Sequence, residues 1–398
     1  MGARVMRRPL AVIVLVPVLL LAGIWLGGHP GVLPEVVRDK LVDVGDAQGY
    51  EEAVDIIQRD YYRGVDRDQL LDKSLGAAVK SLDDQFSNYF SPKDYADFQE
   101  VTQGQFSGVG MTVEETDQGL RVMTVYDDSP ASEGGLKPGD VVVAVNGRSI
   151  AGDSSEASTA RIKGPAGTKV ELTVRSGKRE RDVQLERAQV DIPVVESSME
   201  RKGKRKVGHV RLAGFTSGAH GEVSQAVRKL LRQGADGIVL DLRDNGGGLL
   251  NEAVLVSSIF IPEGKIVSTK GRSRPERVYE ATGGAISGSV PVAVLVNRQS
   301  ASASEIVTGA LQDRKRATVV GTRTFGKGVF QEIEQLSNGG ALDITVGEYF
   351  LPSGRNIGGG GVAKGDGIAP DVKAVDDAKT KPDEALDKAV GAVLRDGT

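Results

Sequence analysis

Hydrophobic and polar positions change their spacing several times along the chain, and each change marks a predicted segment. An apolar run at residues 10–26 comes first, and a helical period begins near residue 49. Strand-like patterns start near residue 101, and apolar strands alternate with helices after residue 188. The predicted segments are a cytoplasmic tail (1–8), a transmembrane anchor (9–28), a linker (29–48), a helical segment (49–100), a β domain (101–187), an α/β core (188–375) and a C-terminal helix (376–398).

The apolar run at residues 10–26 is close to the minimum length for crossing a bilayer. Three arginines precede it, and the bulky residues around Trp25 leave no small-residue cleavage site. We therefore predict an uncleaved single-pass anchor in the cell membrane, with a cleaved signal peptide as the alternative. The arginines stay in the cytoplasm, which places the rest of the chain on the extracytoplasmic side.

Two helices are predicted in the segment at residues 49–100. Val54, Ile57, Tyr61 and Tyr62 recur at helical spacing and predict one shared face of the first helix. Leucines repeat through the second helix, and residues 83–92 form a turn after it. This pattern is typical of a two-helix packing unit, and a role in dimerisation is the alternative.

The segment at residues 188–375 alternates strands and helices, which predicts an α+β fold with a parallel component. We expect a crotonase-like or ClpP-like layered core, followed by a helix on the protein surface that is also available for dimer contacts. Predicted strands lie at 207–212, 238–242, 292–296, 318–321, 329–335 and 344–350, with helices near 223–231 and 253–260.

The amino-acid composition excludes several kinds of partner and active site. The 398 residues carry a formal net charge of -4, which gives no reason to expect a nucleic-acid partner. The chain has no cysteine, so disulfides, thiol nucleophiles and cysteine-ligated metals are excluded. Its three histidines are scattered and form no ligand-like set, so neither a histidine triad nor a zinc site is expected.

A glycine-bearing loop enters the first strands of the β domain. Its residues are Gly108, Val109, Gly110 and Met111, whose backbone N–H groups can point at a peptide C-terminal carboxylate. A Leu-Lys-Pro-Gly-Asp turn and an Asn-Gly hairpin follow. This order resembles a PDZ domain in its bacterial, circularly permuted arrangement. The resemblance implies that a peptide docks beside the loop as an added strand.

Ser302 lies between an apolar strand and a helix-like pattern. Ser-Ala-Ser-Glu from this residue onward is typical of a capping box, a purely structural feature. The same helix N-terminus leaves N–H groups free to stabilise an oxyanion, which also makes Ser302 a candidate nucleophile. Both interpretations stay open at this point.

Lys327 stands between two glycines, with Gln331 four residues later. A lone lysine is usually a solvated charge. To act as a general base near neutral pH, its pKa must fall by about 3 from about 10.4, which is about 4 kcal/mol. Burial among Phe325, Val329 and Phe330 can supply this, and Gln331 can orient the amine or the serine.

Three consecutive glycines follow the strand at residues 238–242. They can form a simple turn or a phosphate-binding loop, but no Gly-Lys-Ser/Thr comes after them, so nucleotide binding is not expected. The backbone N–H groups of this loop can instead supply a second oxyanion donor.

Several motifs together resemble the carboxyl-terminal processing proteases, a family of serine peptidases with a PDZ domain. The resemblance implies that Ser302 is the nucleophile, Lys327 the general base and Gln331 the residue that positions the lysine. It also implies an oxyanion hole from the N–H groups of Gly248 and Ala303. The motifs are Gly-Val-Gly-Met, Asp-Leu-Arg-Asp-Asn-Gly-Gly-Gly, Ser-Ala-Ser-Ala-Ser-Glu-Ile, Gly-Lys-Gly-Val-Phe-Gln and Pro-Ser-Gly-Arg with a later Gly-Ile-Ala-Pro-Asp-Val.

The implied protein is a membrane-anchored, extracytoplasmic endopeptidase that captures protein C-termini and cleaves near them, without a metal or organic cofactor. A homodimer and an adaptor protein stay open as further partners. Two other hypotheses are a catalytically silent scaffold that holds C-terminal tails and a crotonase-like acyl-thioester hydrolase. The Ser302, Lys327 and Gln331 set argues against the scaffold.

Two positions depart from the family pattern. Lys163 stands where relatives often have an arginine, which in some of them couples PDZ occupancy to catalysis. Lysine lacks the bidentate fork of arginine, so we expect this coupling to be altered or to pass to Arg161. Four glycines at residues 358–361 also lengthen the loop before Gly367.

Overall fold

A computed structural model describes residues 45–376 and 382–396. The predicted anchor at residues 9–28 lies outside the described residues and stays a prediction. Within the described ranges, no helix is both long and apolar enough to cross a membrane. The described residues form two compact units, which divide between Ala77 and Ala78.

The first unit contains α1 (Gly45–Asp60) and the start of α2 (Arg67–Lys80), as the helical period predicts. Arg67 at the start of α2 reaches back to α1, where its guanidinium pairs with Asp55 at 2.6 Å and with Glu51. Ion pairs of this kind, on exposed side chains, contribute little stability.

The predicted apolar face of α1 is only partly buried. Val54 is buried, but Ile57 is 40% exposed. Tyr61 and Tyr62 lie beyond the end of the helix and are 51% and 75% exposed. The prediction that all four share one helix face is therefore wrong, because the helix ends at Asp60 before the two tyrosines.

The second unit holds the remaining elements. Its helices are α3 (Pro92–Gln103), α4 (Pro130–Glu133), α5 (Ser155–Ile162), α6 (Ala219–Arg232), α7 (Leu250–Ser258), α8 (Ala303–Asp313) and α9 (Glu384–Asp396). Its strands are β1 (Asn88–Phe90), β2 (Gln105–Gly108), β3 (Met111–Thr116), β4 (Gly119–Val125), β5 (Val141–Val145), β6 (Arg148–Ser149), β7 (Lys169–Ser176), β8 (Arg179–Glu186), β9 (Ala188–Asp191), β10 (Val195–Lys202), β11 (Arg205–Leu212), β12 (Ile238–Asp241), β13 (Lys265–Lys270), β14 (Arg277–Glu280), β15 (Val292–Val296), β16 (Thr318–Gly321), β17 (Val329–Gln335), β18 (Ala341–Phe350) and β19 (Val372–Lys373).

A six-stranded sheet in the order β10-β11-β12-β15-β16-β19 forms the centre of the α/β core. All neighbouring strands in this sheet are parallel, except β10 and β11, which pair antiparallel. β12 and β15 are buried along their whole length, which explains their continuous apolar sequences. One face packs on α6, α7 and α8 in the largest hydrophobic cluster. The predicted α+β fold with a parallel component is therefore confirmed.

α9 covers the opposite face of this sheet with one side of the helix, while Asp387, Lys388 and Arg395 on its other side stay exposed at the surface. A parallel sheet needs both faces covered, and the short apolar side chains of α9 supply the second layer. The buried residues of this layer are Val207, Val239, Ala293, Leu295, Val320, Ala374, Ala385, Ala389, Val390, Ala392 and Val393.

A second sheet pairs β18 with β1, β13 and β17, and β14 extends it beyond β13. Gln331 on β17 is opposite Thr345 on β18, and Asp343 lies between Ile333 on β17 and Asn88 on β1. Since side chains alternate along a strand, these residues of β17 and β18 project from one face.

The β domain is inserted between α3 and β10. Its sheet has the order β3-β4-β5-β7-β8, with β6 paired to β5. The entering and leaving strands, β2 and β9, pair with each other and close the insertion. Asn146 and Gly147 have φ of 48° and 73°, the conformation of the predicted hairpin turn.

Sequence reasoning missed α3, because the helical pattern was predicted to end in the turn at residues 83–92. The boundary signals are present. Ser91 caps the helix by accepting a hydrogen bond from the Asp94 N–H, Pro92 follows at the first position, and Gly104 ends it at φ 68°. Its mixed polar sequence shows no clear apolar stripe, which explains the miss.

Candidate active site

The candidate site lies where β12 and β15 end. These strands are parallel neighbours, so the loops that follow them emerge at the same edge of the sheet. One loop carries the three glycines and the other leads to Ser302. Together they border a cleft of about 440 Å³, within the usual range for ligand sites. Its apolar wall includes Phe98, Phe215, Leu249, Leu250, Ile306 and Phe330.

Ser302 differs from its two neighbouring serines. Its backbone has φ 55° and ψ -113°, a conformation that is costly for any residue with a Cβ. Ser300 is buried and donates to the Leu242 carbonyl at 2.7 Å, and Ser304 is buried and donates to the Asn245 carbonyl at 2.8 Å. The flanking serines therefore hold the junction together, while half-buried Ser302 borders the cleft.

The predicted oxyanion donors also meet at this cleft. A Cβ placed on Gly247 would lie 2.9 Å from Ser302 Cβ and 3.1 Å from the Ala303 nitrogen, so the glycine loop runs directly beside the serine. Within the described residues, neither the Gly248 N–H nor the Ala303 N–H donates a hydrogen bond. Gly248 has φ 140°, which favours glycine. Both N–H groups are available to a ligand.

The loop around Lys327 is packed tightly by its two glycines. Gly326 has φ 94°, and a Cβ there would lie 2.4 Å from the Gly365 carbonyl oxygen. A Cβ on Gly328 would lie 2.4 Å from the Asn356 side-chain oxygen. The buried Tyr349 hydroxyl donates to the carbonyl of Lys327. The lysine backbone is therefore held rigidly against the core.

Glu305 joins this loop to the serine. Its side chain is fully buried, and one oxygen accepts from the N–H groups of Ser302 and Lys327 at 2.9 and 3.0 Å. The other accepts from the Thr324 hydroxyl at 2.6 Å and the Gly326 N–H at 2.7 Å. Burial raises the pKa of Glu305, and the four hydrogen bonds oppose this effect. One carboxylate thus fixes the backbone of both candidate catalytic residues.

The Lys327 ammonium lies in the same cleft as Ser302. Its nitrogen is 4.8 Å from the centre of the Phe86 ring, and Phe325 packs edge-on against Phe86. Burial lowers the pKa of Lys327 below its ordinary value, although Asp343, Asp84 and Glu305 oppose the shift. The predicted apolar surroundings are present, but the ring beneath the amine is Phe86.

Gln331 lines the cleft with Ser302 and Lys327. Its amide nitrogen donates to the Thr345 hydroxyl at 2.9 Å, and among the described residues it bonds neither Lys327 nor Ser302 directly. The structure therefore places Gln331 at the site and shows that Thr345 orients its amide.

The predicted peptide-binding residues lie apart from this cleft, in the β domain. Gly108, Val109 and Met111 line a narrow cavity of about 40 Å³, together with Lys163. Gly110 is buried beside it.

Lys163 connects the β-domain cavity to α3. Its ammonium lies 3.3 Å from Glu100 on α3, a helix whose Phe98, Val101 and Thr102 line the larger cleft. Arg161 pairs with Asp153 at 2.8 Å instead. The lysine, rather than Arg161, therefore makes the contact between this cavity and α3.

Sequence reasoning missed four residues of the site. Phe86 lies beneath the Lys327 amine, Asp84 and Asp343 act on the charge of that amine, and Glu305 was considered only as a helix cap. The capping-box pattern was a usable signal for Glu305. No local pattern points to the other three. Within residues 45–376 and 382–396, no group of three His, Cys, Asp or Glu side chains could hold a metal ion.

Comparison with known proteins identifies the class. Residues 206–374 match Peptidase family S41, and residues 107–186 match the PDZ domain family. The photosystem II D1 C-terminal processing protease is 31% identical, and the match covers 87% of this chain and 90% of that chain with a TM-score of 0.47. The two family matches, with the sheets described above, define an α+β S41 core with an inserted PDZ domain.

The chain belongs to peptidase family S41. This membership confirms the resemblance drawn from the motifs. A probable CtpA-like serine protease of Staphylococcus aureus (strain COL) is 35% identical over 332 residues, 83% of this chain and 65% of that protein. Its counterpart in Staphylococcus epidermidis is 35% identical over 318 residues, 79% of this chain and 63% of that protein. The chain thus spans less than two thirds of the length of these relatives.

Proposed function

We propose that this protein is a serine endopeptidase in which Ser302 is the nucleophile and Lys327 the general base. The observation that carries the proposal is the convergence at one cleft of a strained serine, two N–H groups that are free within the described residues, and a partly buried lysine. Burial lowers the pKa of that lysine, which favours the neutral amine that a base requires.

The reaction follows from these positions. Neutral Lys327 accepts the proton of Ser302 Oγ, and the oxygen attacks the substrate carbonyl carbon. The Gly248 and Ala303 N–H groups donate to the negatively charged oxygen that forms. Protonated Lys327 then gives its proton to the leaving amine, which departs and leaves an acyl-enzyme. Water, deprotonated by the same lysine, attacks this ester, releases the acid and restores Ser302.

Gln331 takes the role of a positioning residue in this proposal. Because its amide nitrogen is engaged by Thr345, its carbonyl oxygen is the group left for the Lys327 ammonium. The PDZ domain captures the substrate through the cavity at Gly108, Val109, Gly110 and Met111 and binds the C-terminal carboxylate. A membrane anchor, a homodimer and an adaptor protein are further elements of the proposal.

Capture of the substrate C-terminus by the PDZ domain predicts a preference for a free carboxylate. An unstructured polypeptide with a free C-terminal carboxylate should be cleaved about tenfold more efficiently than the same polypeptide ending in an amide, because charge-assisted hydrogen bonds are lost. The measurement is kcat/KM with the full-length protein. Acetylation of the polypeptide N-terminus is the matched control and should leave the rate unchanged.

Equal rates for carboxylate and amide would refute capture of the C-terminus while leaving the peptidase intact. Binding of the carboxylate tail without any cleavage would instead favour the catalytically silent scaffold. Cleavage by wild type with the expected preference supports both parts of the proposal.

A further inference from the structure

Asp343 occupies an unusual place for a carboxylate, on the face of the β17–β18 hairpin that borders the catalytic cleft. Its cross-strand partner is Ile333, and Thr345, two residues along β18, projects from the same face. Asp343, Ile333, Gln331 and Lys327 all line the cleft. A half-buried carboxyl group therefore borders the same cleft as the amine that the proposed mechanism needs in its neutral form.

Asp84 approaches Lys327 from the loop before β1. Its carboxylate accepts from the Phe86 N–H at 2.9 Å and from the Ser87 hydroxyl at 2.6 Å. The Ser87 oxygen in turn accepts from the Thr345 N–H at 3.0 Å, which ties the loop to β18. These bonds fix Asp84 beside Phe86, the ring on which the Lys327 ammonium lies.

The other ionisable groups packed around Lys327 have hydrogen-bond partners of their own. Glu305 engages backbone N–H groups and the Thr324 hydroxyl, and Tyr349 donates to the Lys327 carbonyl. Burial raises the pKa of Tyr349, so its phenol stays neutral. Among the salt bridges of the described residues, none joins Lys327 to Asp84 or Asp343, and the effect of both aspartates on the pKa of Lys327 is coulombic. Asp84 and Asp343 therefore act on it through space.

The charges of the two aspartates respond to each other and to the lysine. Burial raises the pKa of Asp343, Lys327 and Asn88 lower it, and Asp84 raises it further. Burial also raises the pKa of Asp84, but hydrogen bonds from Ser87, Thr345 and the Phe86 N–H outweigh this and lower it. Asp84 is thus the firmly ionised member of the pair.

We propose that Asp343 and Asp84 are positioning residues that stabilise the charged form of Lys327 in the substrate-free enzyme and so set the pH at which catalysis begins. The proposal rests on the function proposed above. Opposite charges favour each other, so the pair opposes the effect of burial on the amine. A substrate carbonyl that reaches Ser302 would then meet a lysine whose neutral form is less populated than burial alone would make it.

The test is Asp343→Asn, which removes the charge and keeps the shape. Removing a neighbouring negative charge favours the neutral amine, so the Lys327 pKa should fall by about one unit. The acidic limb of the plot of kcat/KM against pH should shift to lower pH by the same amount. One pH unit below the wild-type midpoint, the variant should then cleave fluorescein-labelled casein about fivefold faster than wild type.

A second readout does not depend on proteolysis. Competitive acetylation with acetic anhydride, analysed by mass spectrometry of the Lys327 peptide in the full-length protein, reports the midpoint for deprotonation of this one lysine. The control is Glu334→Gln, which removes a carboxylate from the position of β17 next to Ile333, the cross-strand partner of Asp343. Glu334 is exposed, and its neighbour Ile333 lines the cleft, so Glu334 faces away and this variant should leave the midpoint unchanged.

An unchanged or raised acetylation midpoint in Asp343→Asn would overturn the proposal. A lowered midpoint, with Glu334→Gln like wild type, supports it. If casein is cleaved by no variant, the proposed peptidase function fails, and the acetylation midpoint still decides whether the aspartates control the charge of Lys327.

Discussion

Replacing Lys327 with methionine should reduce kcat/KM for proteolysis by about 10⁴-fold or more, because the general base disappears while the length of the side chain is kept. Ser302→Ala should cause a loss of the same order. The two residues act as one unit, so the double variant should be no slower than either single variant. Cleavage of an unstructured polypeptide by the full-length protein measures all three.

The matched control is Lys364→Met. Lys364 Nζ lies 4.5 Å from the centre of the Phe325 ring, which packs against Phe86, so it is a lysine over an aromatic ring in the same region. It does not border the cleft, and its replacement should leave the rate within about twofold. Substantial activity in Ser302→Ala or Lys327→Met would contradict the assignment of nucleophile and base.

Glu305→Gln should inactivate the enzyme although this residue does not contact the substrate. Each oxygen of Glu305 accepts two hydrogen bonds, so in either orientation the amide nitrogen of glutamine must face at least one backbone N–H donor. We expect a loss of about 2–4 kcal/mol in the free energy of unfolding. Displacement of Ser302 relative to Lys327 should also lower kcat by about 10²-fold. Denaturant unfolding and kcat for the folded protein measure the two effects.

Glu252→Gln separates stability from catalysis. Glu252 is a buried carboxylate at the start of α7 that accepts from the N–H groups of Gly218 and His220 at 3.0 and 2.9 Å. Its replacement should destabilise the protein by a similar mechanism but spare kcat. If Glu305→Gln matches Glu252→Gln in both measurements, Glu305 does not hold the catalytic geometry and is only a structural carboxylate.

The local sequence determined much of the fold. β15, β16 and β17 begin and end at the predicted residues, because apolar runs and glycine breaks are properties of neighbouring residues in the chain. The Asn146-Gly147 turn was equally readable, since few other residues accept positive φ at both positions. Ser302 and Lys327 were singled out for the same reason: each stands in a short motif whose backbone conformation depends on adjacent small residues.

Only the tertiary structure decided what surrounds these two residues. Asp84 and Asp343 are distant in the chain and reach the same lysine through the pairing of β1 with β18, whose register no local pattern encodes. Glu305 has the sequence pattern of a helix cap, yet its second oxygen bonds a loop that begins at Thr324. The burial of α9 likewise depends on a sheet face that needs a cover. Charge and burial at the site are long-range properties, so they appear only once the chain is folded.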